Sequence, residues 1–191
     1  MGTTGLAFGT DTLLISSPVH DAKTVAALRK TALSLADYAR KKGLDETVFF
    51  LVDMQLPSGK NRFFVYDLSK DSIVMAGLVT QGKGNGPWRL DPRFSNNKGS
   101  ACTSLGRYKI GGSYQGVFGL AYKLHGLDSS NSNAYARFVV LHAHESVPDK
   151  EVHPYPICQS EGCPTVSKTF FSKLDQLLQK KSKPVLLYIY N

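Results

Sequence analysis

Long apolar runs are missing from this chain. The longest stretches, Val48 to Val52, Ile73 to Val79 and Val185 to Tyr190, fall well short of the ~20 residues that a membrane-spanning helix needs, so no stable membrane insertion is expected. The first twenty residues show no basic stretch followed by an apolar one, and no secretory leader is read there. Cysteine is scarce: Cys102, Cys158 and Cys163 are the whole set of three. An odd set that small builds no disulfide scaffold and leaves at least one thiol free or paired outside the chain. Charge of one sign is also short, with 15 Asp and Glu against 23 Lys and Arg, a formal net charge of +8. A basic surface favours an anionic partner such as nucleic acid, anionic lipid or wall polymer, and charge alone does not choose among them. No nucleic-acid motif accompanies it, and the aromatics are spread through strand-like segments.

What is present is ordinary globular material. Hydrophobic residues make up 42% and charged residues 20% of 191, which excludes disorder and collagen. The length suits one sizeable domain, burying roughly 70% of the unfolded surface. Residues 1–16 read as a lead-in, and residues 1–44 as a lead-in plus a helix that packs on a domain spanning 45–191. Ser17 caps and Pro18 opens a helical pattern in which Val25, Leu28, Ala32, Leu35 and Ala39 form one apolar stripe. Lys41-Lys42-Gly43 closes it. The texture then turns β-branched and aromatic. Thr47 to Asp53, Arg62 to Asp67 and Ser72 to Thr80 read as strands, followed by Tyr108 to Ile110, Tyr122 to Leu124 and Arg137 to His142. Residues 81–101, rich in Gly, Pro and Asn and holding Trp88, form a long loop of the kind that carries function. Ser167 to Lys180 is a second helix, and Val185 to Tyr190 a last strand. Strands and helices do not alternate, so a doubly wound sheet is excluded in favour of a mainly β (α+β) fold, a sandwich or mixed sheets with an N-terminal and a C-terminal helix.

Reactive side chains crowd into residues 137–167. Three readings compete there. Cys163, one residue after Gly162 and just before the Ser167 helix cap, can be a thiol nucleophile with His142, at the end of an apolar strand, as its base. The amides of Gly162 and Cys163 could then face a developing oxyanion. His142, His144, His153, Cys158 and Cys163 could instead hold zinc, although neither Cys-x-x-Cys nor His-Glu-x-x-His is present. A Cys158–Cys163 disulfide is the third, and it would block the nucleophile.

A resemblance favours the first. The run Phe94-Ser95-Asn96-Asn97-Lys98-Gly99-Ser100, then Thr103-Ser104-Leu105-Gly106-Arg107-Tyr108, resembles the murein L,D-transpeptidase catalytic domain family, in the divergent second branch of the YkuD-like superfamily. Leu124-His125-Gly126-Leu127, Asn133-Ala134-Tyr135-Ala136-Arg137, Val139-Val140-Leu141-His142 and Ser160-Glu161-Gly162-Cys163-Pro164 continue it in order, as do Arg62 and Thr80-Gln81-Gly82 upstream. The resemblance covers roughly residues 45–190. It implies an enzyme of the cell envelope, periplasmic or extracellular, that forms 3→3 cross-links between peptidoglycan stem peptides through a cysteine thioester. Trimming of stem tetrapeptides, or wall binding with weak catalysis, are the alternatives. Carried over residue by residue, Cys163 is the nucleophile, His142 the base, and Ser160 and Gly162 the motif residues around them. Arg137, His144, Tyr122 and His125 are the candidates for the substrate side, each with a structural alternative. No cofactor, metal or nucleic acid is implied, and a monomer is expected. The chain departs from the family pattern at Gln159, Ala143 and Glu161, and a carboxylate at Glu161 would oppose thiolate formation.

Overall fold

In the computed structural model, residues 21–87 and 89–191 are described. The lead-in, the Ser17-Pro18 cap and Trp88 lie outside them. Helix α1 runs Ala22–Lys41 behind an Asp21 cap, whose carboxylate accepts the Thr24 amide at 2.9 Å. It stops at Lys42, and Gly43 follows with φ +67°, as the glycine after the lysine pair predicts.

Eight strands form one sheet in the order β3-β2-β1-β8-β4-β5-β6-β7. They are β1 Val48–Asp53, β2 Phe63–Asp67, β3 Ser72–Gly77, β4 Gly106–Gly116, β5 Gly119–Gly126, β6 Val140–Ala143, β7 Thr165–Val166 and β8 Leu186–Tyr190. The pairs β1–β8 and β6–β7 are parallel and the others antiparallel. Helix α2, Lys168–Gln179, is capped by Ser167, whose hydroxyl accepts the Phe170 amide.

The strand β1 reads as a continuous apolar run because both its faces are covered. Val48, Phe50 and Val52 enter one core with Phe170, Phe171 and Leu174 of α2. Phe49 and Leu51 enter a second with Leu28, Ala32, Leu35 and Ala39 of α1. The first core also holds Leu124, Leu141 and Val166, so α2 ties the site-bearing strands β5, β6 and β7 to the centre of the sheet. A single mixed sheet thus replaces the expected choice between a sandwich and several sheets. Strands β4 and β5 are far longer than their apolar centres suggest. They run on as a two-stranded arm of Ser, Gln and Gly residues, with a register shift between Ile110 and Ser113. Among the described residues no helix is long and apolar enough to cross a membrane.

Leu28 and Leu174 are almost fully buried, one under each helix. Truncation of either to alanine is expected to lower unfolding free energy by about 2–5 kcal/mol in urea titration. A loss confined to Leu174→Ala would show that α1 is not part of the cooperative unit.

Candidate functional site

The site is built by three segments that the sheet brings together. Strand β6 carries His142 one residue before its end, and its parallel partner β7 sets Thr165 opposite in register. Residues 80–82, leaving β3, run alongside and hold the turn that precedes β7. The Thr80 amide donates to the Thr165 carbonyl at 3.0 Å, the Ser160 amide to the Gln81 carbonyl at 2.9 Å, and the Lys83 amide to the Ser160 carbonyl at 2.8 Å. Inside this frame the carbonyl of Cys163 accepts the hydroxyls of Ser160 at 2.7 Å and Thr80 at 3.1 Å, and the Thr165 hydroxyl lies within reach of it at 3.4 Å. The turn therefore cannot open without leaving several buried polar groups unpaired, which costs about 1–3 kcal/mol for each.

Gly162 has φ +111°, and a Cβ there would lie 2.5 Å from the Cys102 carbonyl oxygen. Its glycine is thus required by backbone geometry and close packing. Arg137 completes the frame: its guanidinium donates to the carbonyls of Cys102 at 2.6 Å and Ser95 at 2.8 Å. Of the two readings open for Arg137, the anchoring one describes its contacts. Asn96 and Ser104 likewise hold loop backbone and a neighbouring tyrosine. Cys102 is buried.

The Cys163 sulfur receives the Val140 amide at 3.5 Å and lies 3.7 Å from the Phe138 carbonyl. Burial pushes the thiol above its ordinary range, Glu161 adds to that, and the Val140 amide and Arg137 work against it. His142 is buried, and burial holds its imidazole below the usual histidine value. Its Nδ1 meets the Ala143 carbonyl at 3.1 Å and its Nε2 meets the Thr165 hydroxyl at 3.0 Å. A carbonyl only accepts, so Nδ1 carries the proton and Nε2 is the basic nitrogen, accepting from Thr165. Thiol and imidazole share one cavity of about 370 Å³ with Thr80, Phe118, His144, Cys158 and Glu161. In the resting arrangement the imidazole is bonded to Thr165, not to the sulfur.

The expected oxyanion donors divide. The Gly162 amide donates to the Ser160 hydroxyl at 3.1 Å, whereas the Cys163 amide has no protein acceptor among the described residues. Glu161 turns outward into a 2.6 Å pair with Lys83, which draws its charge away from the thiol. His144 stands at the cavity, where Phe118 stacks on the His142 ring at 4.9 Å and meets the His144 ring edge-on at 5.7 Å. Tyr122 and His125 do not reach it. Tyr122 is buried against Phe171 and donates to Asp175 at 2.6 Å, and His125 stacks on Tyr135 further along β5. His153 belongs to a separate cavity with Arg62 and Tyr155. All three cysteines are free. Among the described residues no group of three or more ligand-type side chains is placed to hold a metal ion. Thr80, Thr165, Phe118 and the Val140 amide are the parts that sequence reasoning missed. Thr80 lay within a recognised run, but nothing in its type pointed to Cys163.

The family model for the L,D-transpeptidase catalytic domain matches residues 20–190. None of the curated proteins matches the sequence. Among solved structures, a mutant of the helical cell shape determining protein Pgp2 from Campylobacter jejuni is similar with a TM-score of 0.52 and 14% identity, over 76% of this chain and 47% of that one. An Enterococcus faecium L,D-transpeptidase mutant gives 0.47 and 10%, over 76% and 50%. An L,D-transpeptidase from Mycobacterium smegmatis gives 0.44 and 12%, over 76% and 59%. The chain spans about half the length of the first of these structures.

Two outcomes follow for the isolated protein. Gly162→Ala, forced into a positive φ against the Cys102 carbonyl, is expected to cost about 1–3 kcal/mol in denaturant unfolding; an unchanged midpoint would contradict the geometry. In Thr165→Val the neutral imidazole loses its donor at Nε2, so the His142 pKa should rise in an NMR titration. A fall, or no shift, would mean that Thr165 does not hold the resting imidazole.

Proposed function

The chain belongs to the L,D-transpeptidase catalytic domain family, and we propose that it acts on peptidoglycan stem peptides as a cysteine acyltransferase, with Cys163 as nucleophile and His142 as base. The observation that carries this reading is the shared cavity of Cys163 and His142, with the imidazole tautomer held so that Nε2 is free to act as a base.

The chemistry follows from those positions. The Thr165 hydroxyl has a second acceptor in the Cys163 carbonyl, so it can swing from Nε2 without losing a hydrogen bond. Nε2 then takes the thiol proton as sulfur attacks the carbonyl carbon of the third stem residue. Negative charge develops on that oxygen, and the unpaired Cys163 amide is the donor closest at hand. The carbon–nitrogen bond to the terminal D-alanine breaks, and the imidazolium returns its proton to the leaving amine. An amine from a second stem attacks the thioester, and its proton passes through His142 back to sulfur. The product is a 3→3 cross-link; water in place of the amine gives a tripeptide.

Because both groups start neutral, proton transfer and attack are coupled, and activity should not depend on a preformed thiolate. The buried imidazole, low in pKa, remains a free base to lower pH than an exposed one, so the acidic limb of kcat/KM should fall below the ordinary histidine value, about 6.5. A limb well above it would contradict the assignment. Product analysis with purified disaccharide tetrapeptide tests the reaction itself. Dimers lost in Cys163→Ser support transfer; tripeptide monomer alone supports trimming; tetrapeptide left intact by the wild type, with binding retained, supports the wall-binding module.

A further inference from the structure

Cys163 and His142 stand at one end of a sheet face that continues along β5 and opens to solvent beyond the buried Ala121. Residues paired in register share a face. His142 pairs with Ala121, Ala121 with Tyr114, Val140 with Lys123, and His125 with Lys109. Their neighbours Ile110, Tyr122, Leu124 and Leu141 point the other way, into the core. The outer strip therefore reads, from the nucleophile outward, His142, Tyr114, Lys123, His125 and Lys109.

Aromatic rings border it in solvent. Phe138 is 80% exposed and Tyr135 53%. The Lys123 ammonium lies 5.5 Å from the centres of both the Tyr114 and Tyr135 rings. Tyr135 stacks on His125 at 5.0 Å. Phe138 has φ +58°, a conformation that a bulky residue adopts only under constraint and that collects at functional sites. Its carbonyl meets the Cys163 sulfur. The chain thus holds the strained backbone of an exposed aromatic residue against its nucleophile. Negative charge is nearly absent nearby: residues 92–144 contain six Lys or Arg and one acid, Asp128, which is paired with Arg107.

We propose that this strip binds stretches of the wall polymer's glycan strand that carry no stem, placing sugar rings on Tyr135 and Tyr114 and the free sugar-borne carboxylates at Lys123 and Lys109. The apolar faces of pyranose rings pack on flat exposed aromatics, and a polymer that alternates such faces with carboxylates matches a strip that alternates rings with ammonium groups. A nucleic acid would find the charge, but only a narrow line of rings. The inference rests on the reading that peptidoglycan is the substrate, and it adds which part of the polymer the protein holds besides the stem.

The test uses the full chain carrying Cys163→Ser, so that nothing is turned over. The probe is glycan strand stripped of its stems by an amidase, with binding followed by titration calorimetry. The stripped strand is expected to bind, and Tyr135→Ala and Lys123→Gln are each expected to weaken it about tenfold, ~1.4 kcal/mol. Both positions are exposed, and an unchanged urea midpoint confirms that each variant is folded. Absence of binding, binding untouched by both variants, or equal or tighter binding to a single-stranded oligonucleotide would overturn the proposal. Failure of the catalytic reading shows separately, as no product from disaccharide tetrapeptide with the Cys163 protein; it leaves the binding result standing.

Discussion

The carbonyl oxygen of Cys163 is where the site is tied to the fold. Three hydroxyls from three places in the sequence, Ser160, Thr80 and Thr165, converge on it. Each is fixed by backbone pairing of its own: Thr80 and Ser160 through the 80–82 segment, Thr165 through its register with His142. Because that oxygen is pinned, the sulfur of the same residue is confined, and the glycine before it must accept a positive φ against the Cys102 backbone. Arg137 then braces the Cys102 loop from behind. The Cys163 thiol is thus placed by buried polar groups that would go unsatisfied together, which is a steeper constraint than apolar packing alone supplies.

The electrostatics complement that rigidity. Burial moves the thiol up and the imidazole down, so both rest uncharged. A neutral pair in a low-dielectric cavity avoids the desolvation cost of an ion pair and forms charge only as the carbonyl is attacked. The carboxylate of Glu161, which from sequence alone threatens the thiol, sits in an exposed pair with Lys83. Thr165, with two acceptors in reach, keeps the imidazole oriented while substrate is absent and can release it without a buried polar loss.

Much of the fold is legible in the residues because it follows from hydrophobic period and end signals. The helices are marked by their apolar stripes, and α2 also by its Ser167 cap, whereas the Asp21 cap of α1 is passed over for Ser17; β1, β2 and β8 are marked by runs of β-branched and aromatic residues. The two-stranded arm of β4 and β5 was not, because Gly, Ser and Gln carry no strand signature and pairing there depends on register with a distant partner. Strand β7 is two residues long and is defined only by its partner β6. At the site, Cys163 and His142 were readable from the ordered motifs. Thr80 and Thr165 were not, since a threonine's role is set by what faces it across 83 and 23 residues of separation. Tyr122 and His125 share β5 but lie on opposite faces, one in the core and one on the outer strip, and neither lines the cavity of Cys163 and His142.

The central claim is that a covalent acyl group passes through Cys163. Acid-quenched intact-mass analysis during turnover of a stem tetrapeptide tests it most directly. The account predicts a transient mass gain equal to the tetrapeptide acyl group less its terminal alanine, mapping to the peptide that holds Cys163 and vanishing in Cys163→Ser. Turnover that proceeds with no adduct on Cys163, or that survives its replacement by serine, would contradict it.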